Sequence, residues 1–319
     1  LPLDSEYARR FLDYVRAKMK RLWKWTLLLT VWIIGTMCLG GVSLYLYTEQ
    51  KLAPRWSIEV PSFSIPRDPS AVEEGRRLLT VKACHDCHSL DFGGKTFIEA
   101  LPIGRFSGTN LTRGQGSAIK DYDDLDWIRA IRHGLNPDGQ ALRGMPSDEF
   151  QDLTQADLGR MIAALQALPP VDRQTPPQIV GPMARLLLLF DEFPLLLAAE
   201  RINHQKPLVT DLPPESSIVY GAYLSAACKG CHGSGFAGGS IPGVPPEWPQ
   251  ASNLTPAGRS ALWSLDEFKI VLRQGVTPEG HQIDPRYMPW QATRAMTDIE
   301  IEALYKFFRS LPARADGLR

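Results

Sequence analysis

Cys84-His85-Asp86-Cys87-His88 recurs 144 positions later as Cys228-Lys229-Gly230-Cys231-His232. Working outward from these two words, the sequence repeats at nearly the same interval. Asn110-Leu111-Thr112 returns as Asn253-Leu254-Thr255, 143 later, and Arg132-His133-Gly134 as Arg273-Gln274-Gly275, 141 later. Pro137-Asp138-Gly139 is matched by Pro278-Glu279-Gly280, Met145-Pro146 by Met288-Pro289, and Leu168-Pro169 by Leu311-Pro312. A drift of three positions over this length means two copies of one domain, each about 100 residues long.

Within each copy the pattern is helical. Thr154-x-x-Asp157 and Thr297-x-x-Glu300 are capping-box-like starts. They are followed by apolar residues at helix spacing: Leu158, Ile162 and Leu165, and Ile301, Tyr305 and Phe308. A second amphipathic helix is expected over 124–133 and over 265–274. Residues 91–120 and 233–262 are rich in Gly and Pro and show no periodicity. Loops of that length are unusual in a compact domain unless they wrap a large object.

The cysteines suggest that object. Cys-x-x-Cys-His is the attachment pattern of haem c. Two thiols three positions apart on a helical turn reach the vinyl groups along one porphyrin edge, and the adjacent histidine stands beneath the ring as proximal iron ligand. A zinc site would need further Cys or His ligands, and a thioredoxin-like dithiol would not need the trailing histidine. Two covalent haems are therefore expected, one on Cys84, Cys87 and His88, the other on Cys228, Cys231 and His232. Met145, 61 residues after Cys84, and Met288, 60 after Cys228, are the candidate sixth iron ligands. Each precedes a proline that fixes the following backbone, and each matches the other in the repeat. Met161 and Met296 match no methionine in the other copy and read as gap-filling core residues. His85, His133, His204 and His281 read as structural or solvent-exposed, with His133 the nearest substitute ligand.

N-terminal to the repeat, Trp25 to Tyr47 is a run of 23 residues without a charge. As a helix it is about 34 Å long, enough to cross a hydrocarbon core of roughly 30 Å. Trp23, Trp25, Tyr45 and Tyr47 stand at its ends, where amphipathic rings favour the bilayer interface. The run is too long for the apolar core of a cleaved signal peptide, and no A-x-A site follows it. Residues 1–24 carry seven Lys/Arg against three acidic residues, which by the positive-inside rule puts the N-terminus in the cytoplasm and the repeat on the outer, periplasmic side of a bacterial inner membrane. Cys38, within the run, reads as a packing residue. Over the whole chain 35 Lys/Arg balance 35 Asp/Glu, so no basic excess points to nucleic acid. Residues 171–212 connect the copies. Their Leu-rich stretches are too short and too interrupted to span, and fit either a helix packed between the domains or a surface docking on a partner or the bilayer interface.

With both haem motifs, the Asn-Leu-Thr, Arg-x-Gly, Pro-Asp/Glu-Gly and Met-Pro words and the closing Leu-Pro in view, residues 70–319 resemble the membrane-anchored diheme cytochromes c built from two class I-like domains. Similar domains occur in cytochrome subunits of bacterial membrane dehydrogenases, which often carry three haems and a C-terminal attachment, whereas this chain has two motifs and an N-terminal apolar run. The resemblance implies a mainly α fold: a single N-terminal transmembrane helix followed by two repeated cytochrome c-like helical domains with long haem-wrapping loops. It divides the chain into a basic segment (1–24), a transmembrane helix (25–47), a linker (48–69), a first domain (70–170), a connector (171–212) and a second domain (213–319). It also implies Met145 and Met288 as sixth ligands. The expected activity is passage of single electrons between a redox protein donor and acceptor, alone or within a respiratory, photosynthetic or dehydrogenase complex, without a catalytic residue of its own. The competing reading is a diheme peroxidase, which needs an iron with a displaceable ligand and an acid–base group beside it. The two copies match ligand for ligand, which favours the carrier.

Overall fold

The computed structural model describes residues 5–318; residues 1–4 of the basic segment and Arg319 of the second domain lie outside the described residues. The fold is mainly helical and divides between Lys51 and Leu52 into two compact units.

The first unit is a single helix. α1 (Ser5–Leu52) runs without a break through the basic segment and the apolar run and ends five residues past Tyr47. It is long and apolar enough to cross a membrane, and none of its most apolar stretch is buried. A core helix of a soluble domain would have that face covered. Thr26, Thr30 and Thr36 each turn the hydroxyl back to donate to a carbonyl three or four residues earlier, so these polar groups are satisfied inside the helix.

The second unit carries the repeat. Its elements are α2 (Pro69–Val81), α3 (Cys84–His88), β1 (Lys95–Ala100), β2 (Gly104–Gly108), α4 (Asp124–His133), α5 (Gln155–Gln166), β3 (Ile179–Val180) and α6 (Pro182–Leu189). There follow α7 (Ile218–Leu224), α8 (Lys229–His232), α9 (Leu265–Gln274), α10 (Trp290–Thr293) and α11 (Asp298–Ser310). The expected helices over 124–133 and 265–274 are α4 and α9. Each is opened by a complete capping box, Asp123 with Asp126 and Ser264 with Glu267, and each is closed by the glycine of the Arg-x-Gly word. Thr297 and Glu300 form a full box on α11, whereas Thr154 caps α5 alone.

Two helix crossings define the halves, α2 on α5 and α7 on α11. Both are too close for a side chain. A Cβ on Gly75 would stand 1.9 Å from the Arg160 carbonyl oxygen, and one on Gly221 would stand 2.1 Å from that of Ala303. Around the first crossing, Leu79, Trp127, Ile128, Leu158 and Ile162 form one core. Around the second, Leu224, Phe268, Leu272, Ile301 and Phe308 form another.

Residues 91–120 are not a featureless loop. β1 and β2 form an antiparallel hairpin, with Lys95 opposite Gly108 and Glu99 opposite Arg105, and β3 adds to β2 through Gly104–Val180. The third strand lies some seventy residues downstream, so no local pattern announces the sheet. In the second copy, residues 233–262 hold an isolated bridge, Gly239 with Ala251, and a 3-10 turn, Arg259–Leu262, in place of the hairpin. The connector helix α6 is tied to this sheet rather than lodged between the copies: Met183 N–H donates to the Pro102 carbonyl and Gly181 N–H to that of Ile103. Its inner face buries Ala184 and Leu188 in a third core with Leu52 and Phe106.

Candidate functional site

The first Cys-x-x-Cys-His word is one helical turn, and in the second a 3-10 turn ending at Cys228 runs into α8; their histidines are held alike. His88 Nδ1 lies 2.7 Å from the Thr109 carbonyl oxygen, and His232 Nδ1 lies 2.7 Å from that of Ser252. A carbonyl only accepts, so Nδ1 carries the proton in each ring and Nε2 keeps its lone pair for a metal. Burial lowers the His88 pKa, which also favours the neutral, ligating form.

The Asn-Leu-Thr word explains how those carbonyls are held. Asn110 donates from Nδ2 to the carbonyls of Val171 and Arg173, at 2.7 and 3.0 Å, and accepts at Oδ1 from the N–H and hydroxyl of Thr112. Asn253 donates to the Arg314 carbonyl and the Asp316 carboxylate, both at 2.8 Å, and accepts from Thr255 in the same way. Each asparagine thus pins the residue before it, whose carbonyl orients the histidine, to the segment after the closing helix. Sequence reasoning noted the word only as a repeat.

In the first copy Cys84, Cys87, His88 and Met145 line one cleft of about 360 Å³. Its other walls are largely apolar, with Leu111, Trp127, Ile131, Phe150 and Leu165, and Met161 contributes from α5. In the second copy Cys228 and Met288 pack against the same core, beside Leu254 and Trp263, and Cys231 and His232 are half-buried. This donor set fits a haem: two thiols, an imidazole whose Nδ1 is held by a backbone carbonyl, and a thioether, at apolar walls. It does not fit the alternatives. Burial pushes the thiols of Cys84 and Cys228 up to about 12 and Cys87 up to about 11, the reverse of a reactive dithiol. Among the described residues no three His, Cys, Asp or Glu side chains converge as a zinc site requires. Among the four remaining histidines, His85 is half-buried beside Asp86, and His281 is exposed.

The two copies meet at their haem motifs. Lys82 lines the first cleft, its ammonium 5.6 Å from the centre of the Tyr223 ring of α7. Burial lowers its pKa, while Asp157, Cys228, Glu300 and Cys84 oppose the shift. Tyr223 donates to Asp157 Oδ2 at 2.6 Å. Just beyond Met145-Pro146, the Glu149 carboxylate oxygen lies 2.5 Å from where a Cβ on Gly230, inside the second motif, would stand. Burial and the neighbouring Asp148 raise the Glu149 pKa to about 7. The boundary is closed by Arg77 of α2, which grips Glu300 of α11 through two hydrogen bonds of 2.7 and 2.9 Å. The sequence did carry a signal for this contact. Lys82 and Glu149 break the repeat, their equivalents after aligning the Cys and Met words being Ala226 and Ala292.

His133 does not line the cleft. It is 1% exposed and stacks on His204 of the connector, the two Nδ1 atoms 3.0 Å apart. Burial, with His204, Arg132 and Arg129 nearby, lowers its pKa from 6.5 to about 4, and burial lowers His204 against a hydrogen bond to the Ala199 carbonyl. A second proton would set two donors face to face. The folded state therefore binds fewer protons than the unfolded chain between these values, and stability falls as pH drops from about 6.5 toward about 4. For His133 this amounts to on the order of 3 kcal/mol. Denaturant midpoints between pH 7.5 and 4.5 should decline less steeply in the His204→Phe variant. Equal slopes would remove the pair from the acid response.

Residues 218–312 match the cytochrome c family model. The chain is also similar to cytochrome subunits of bacterial dehydrogenases. It is 26% identical over 270 residues to the fructose dehydrogenase cytochrome subunit of Gluconobacter japonicus, covering 77% of this chain and 54% of that one. It is 26% identical over 276 residues to the cytochrome c subunit of the alcohol dehydrogenase (quinone) of Gluconacetobacter polyoxogenes, covering 77% and 57%. With the gluconate 2-dehydrogenase cytochrome c subunit of Pantoea cypripedii it shares 32% over 97 residues, 29% of this chain and 22% of that one. The chain spans about half the length of the first two relatives.

Proposed function

We propose that this chain is a membrane-tethered diheme cytochrome c that passes single electrons on the outer face of a bacterial inner membrane, as the non-catalytic cytochrome subunit of a dehydrogenase complex. Residues 70–170 and 213–319 form one haem domain each, joined by 171–212. Cys84 and Cys87 hold the first haem, with His88 and Met145 as iron ligands; Cys228 and Cys231 hold the second, with His232 and Met288. Bound haem supplies a one-electron iron couple, and the methionine sulfur biases it toward the ferrous state. The observation that carries this reading is the duplicated histidine geometry, Nδ1 on a backbone carbonyl at 2.7 Å in both copies.

The surrounding residues suit transfer between the two sites. Lys82 stands in the wall of the first cleft and over Tyr223 of the second half, and the stretch from Met145 to Glu149 leads from one motif to the other. The exposed apolar run of α1 is the anchor, and the basic residues before it face the cytoplasm. The donor is a dehydrogenase subunit of the kind the relatives' names describe, and the acceptor a further redox partner at the membrane. His133, the first-copy group that could serve a peroxidase as acid–base catalyst, is turned away onto His204.

The oxidised protein should show, for both haems, the weak absorption at the red end of the visible spectrum that reports methionine sulfur on ferric iron. It should bind no carbon monoxide when reduced and turn over no peroxide. Stoichiometric carbon monoxide binding, or peroxide turnover at an enzyme-like rate, would overturn the carrier reading.

A further inference from the structure

The connector helix α6 has an outward apolar face that the described chain leaves partly exposed. Met183, Leu186 and Leu189 recur at three-residue spacing and are each 41% exposed, and Phe190 follows them, more exposed still. Beside them, at the turn between β1 and β2, Leu101 is 97% exposed. The two segments are joined by the hydrogen bond from Met183 N–H to the Pro102 carbonyl. Large apolar side chains grouped in this way mark a surface that meets something other than water.

The position of this face along the chain says what it meets. Its inner side packs on Leu52, in the core shared by Ala184 and Leu188. Leu52 is the last residue of α1 and lies five residues beyond Tyr47, the end of the apolar run. Five helical residues rise about 7.5 Å, which matches the outer limit of a headgroup layer roughly 5–7.5 Å deep on one side of a bilayer. A helix that packs on Leu52 is therefore held within reach of that layer, and its outward residues are apolar in the pattern of a helix lying in the interface.

We propose that α6 and the β1–β2 turn rest in the boundary between headgroups and acyl chains, as a second, non-spanning membrane contact. It rests on the reading of α1 as a spanning anchor. Since Met183, Leu186, Leu189 and Phe190 carry no charge, the contact needs no anionic lipid and does not weaken with salt.

The haem-loaded full chain, reconstituted in phosphatidylcholine vesicles containing a diazirine-bearing phosphatidylcholine, tests this directly. After photolysis, lipid adducts should be found by peptide mapping in residues 25–47, in 182–190 and at Leu101, and be several-fold fewer at Leu262, an exposed leucine of the other half. The Leu186→Glu variant, altered at an exposed position, should lose adducts in α6 several-fold while keeping those in α1. Adducts in 25–47 with none in 182–190 would overturn the second contact and leave the anchor standing. The face would then be free for a protein partner. An absence of adducts in 25–47 would overturn the anchor and this inference with it.

Discussion

Replacing Met145 by histidine should leave the first haem low-spin and lower its midpoint potential by a sizeable part of the roughly 0.8 V range over which axial ligands set haem potentials. The soft thioether stabilises ferrous iron, and imidazole gives that preference up. Met288→His should do the same to the second haem. Replacing either by alanine should free one coordination position and make that haem bind carbon monoxide, one equivalent per chain. Met145 lines the first cleft and Met288 packs in the second core, so each substitution acts mainly on its own half. The two shifts should nevertheless fall somewhat short of additive, because Lys82 of the first cleft lies over Tyr223 and Glu149 lies beside Gly230 of the second motif, which brings the two sites close enough to couple. Redox titration of the two His variants, singly and combined, and carbon monoxide titration of the two reduced Ala variants read all of this. A Met145→His protein with unchanged potentials would remove Met145 from the iron.

Arg77→Met should cost about 3–5 kcal/mol, the range for breaking a buried ion pair by removing one partner. Glu300 is 1% exposed, and its two oxygens accept from both terminal nitrogens of Arg77. The Thr297 N–H also donates to Glu300, so the carboxylate cannot swing out to water without uncapping α11. Arg77 is itself fixed by Glu74 and by the Ala295 carbonyl. The double variant Arg77→Met, Glu300→Leu should recover a large part of the loss, since an apolar pair can replace a buried ion pair at little cost. Its remaining deficit measures the lost cap. Urea unfolding of the three proteins checks this. A double variant as unstable as the sum of its singles would mean that Arg77 and Glu300 are not energetically coupled.

The repeat made most of each half readable. α4 and α9 begin and end where amphipathic spacing, capping residues and the trailing glycine placed them, because those signals are local. The Cys, His and Met words stand out because their chemistry depends on short fixed spacings. What escaped the sequence depends on distant partners. The hairpin over 95–108 has little alternation of its own and gains a third strand only from residues 179–180. The connector's inward and outward faces could not be told apart until Leu52 and Phe106 were found against one of them. His133 and His204, seventy-one positions apart, gave no sign of pairing. The inter-copy boundary was written in the sequence only as departures from the repeat, at Lys82 and Glu149, and such departures look like drift until the fold brings them together.

The central claim is that one chain carries two covalent haems, and denaturing intact-mass measurement of the native protein addresses it most directly. Two attached haems predict a mass above that of the bare polypeptide by two haems, falling by one haem in a Cys84→Ala, Cys87→Ala variant and by one in a Cys228→Ala, Cys231→Ala variant. A native mass carrying a single haem, or haem lost on denaturation, would contradict it.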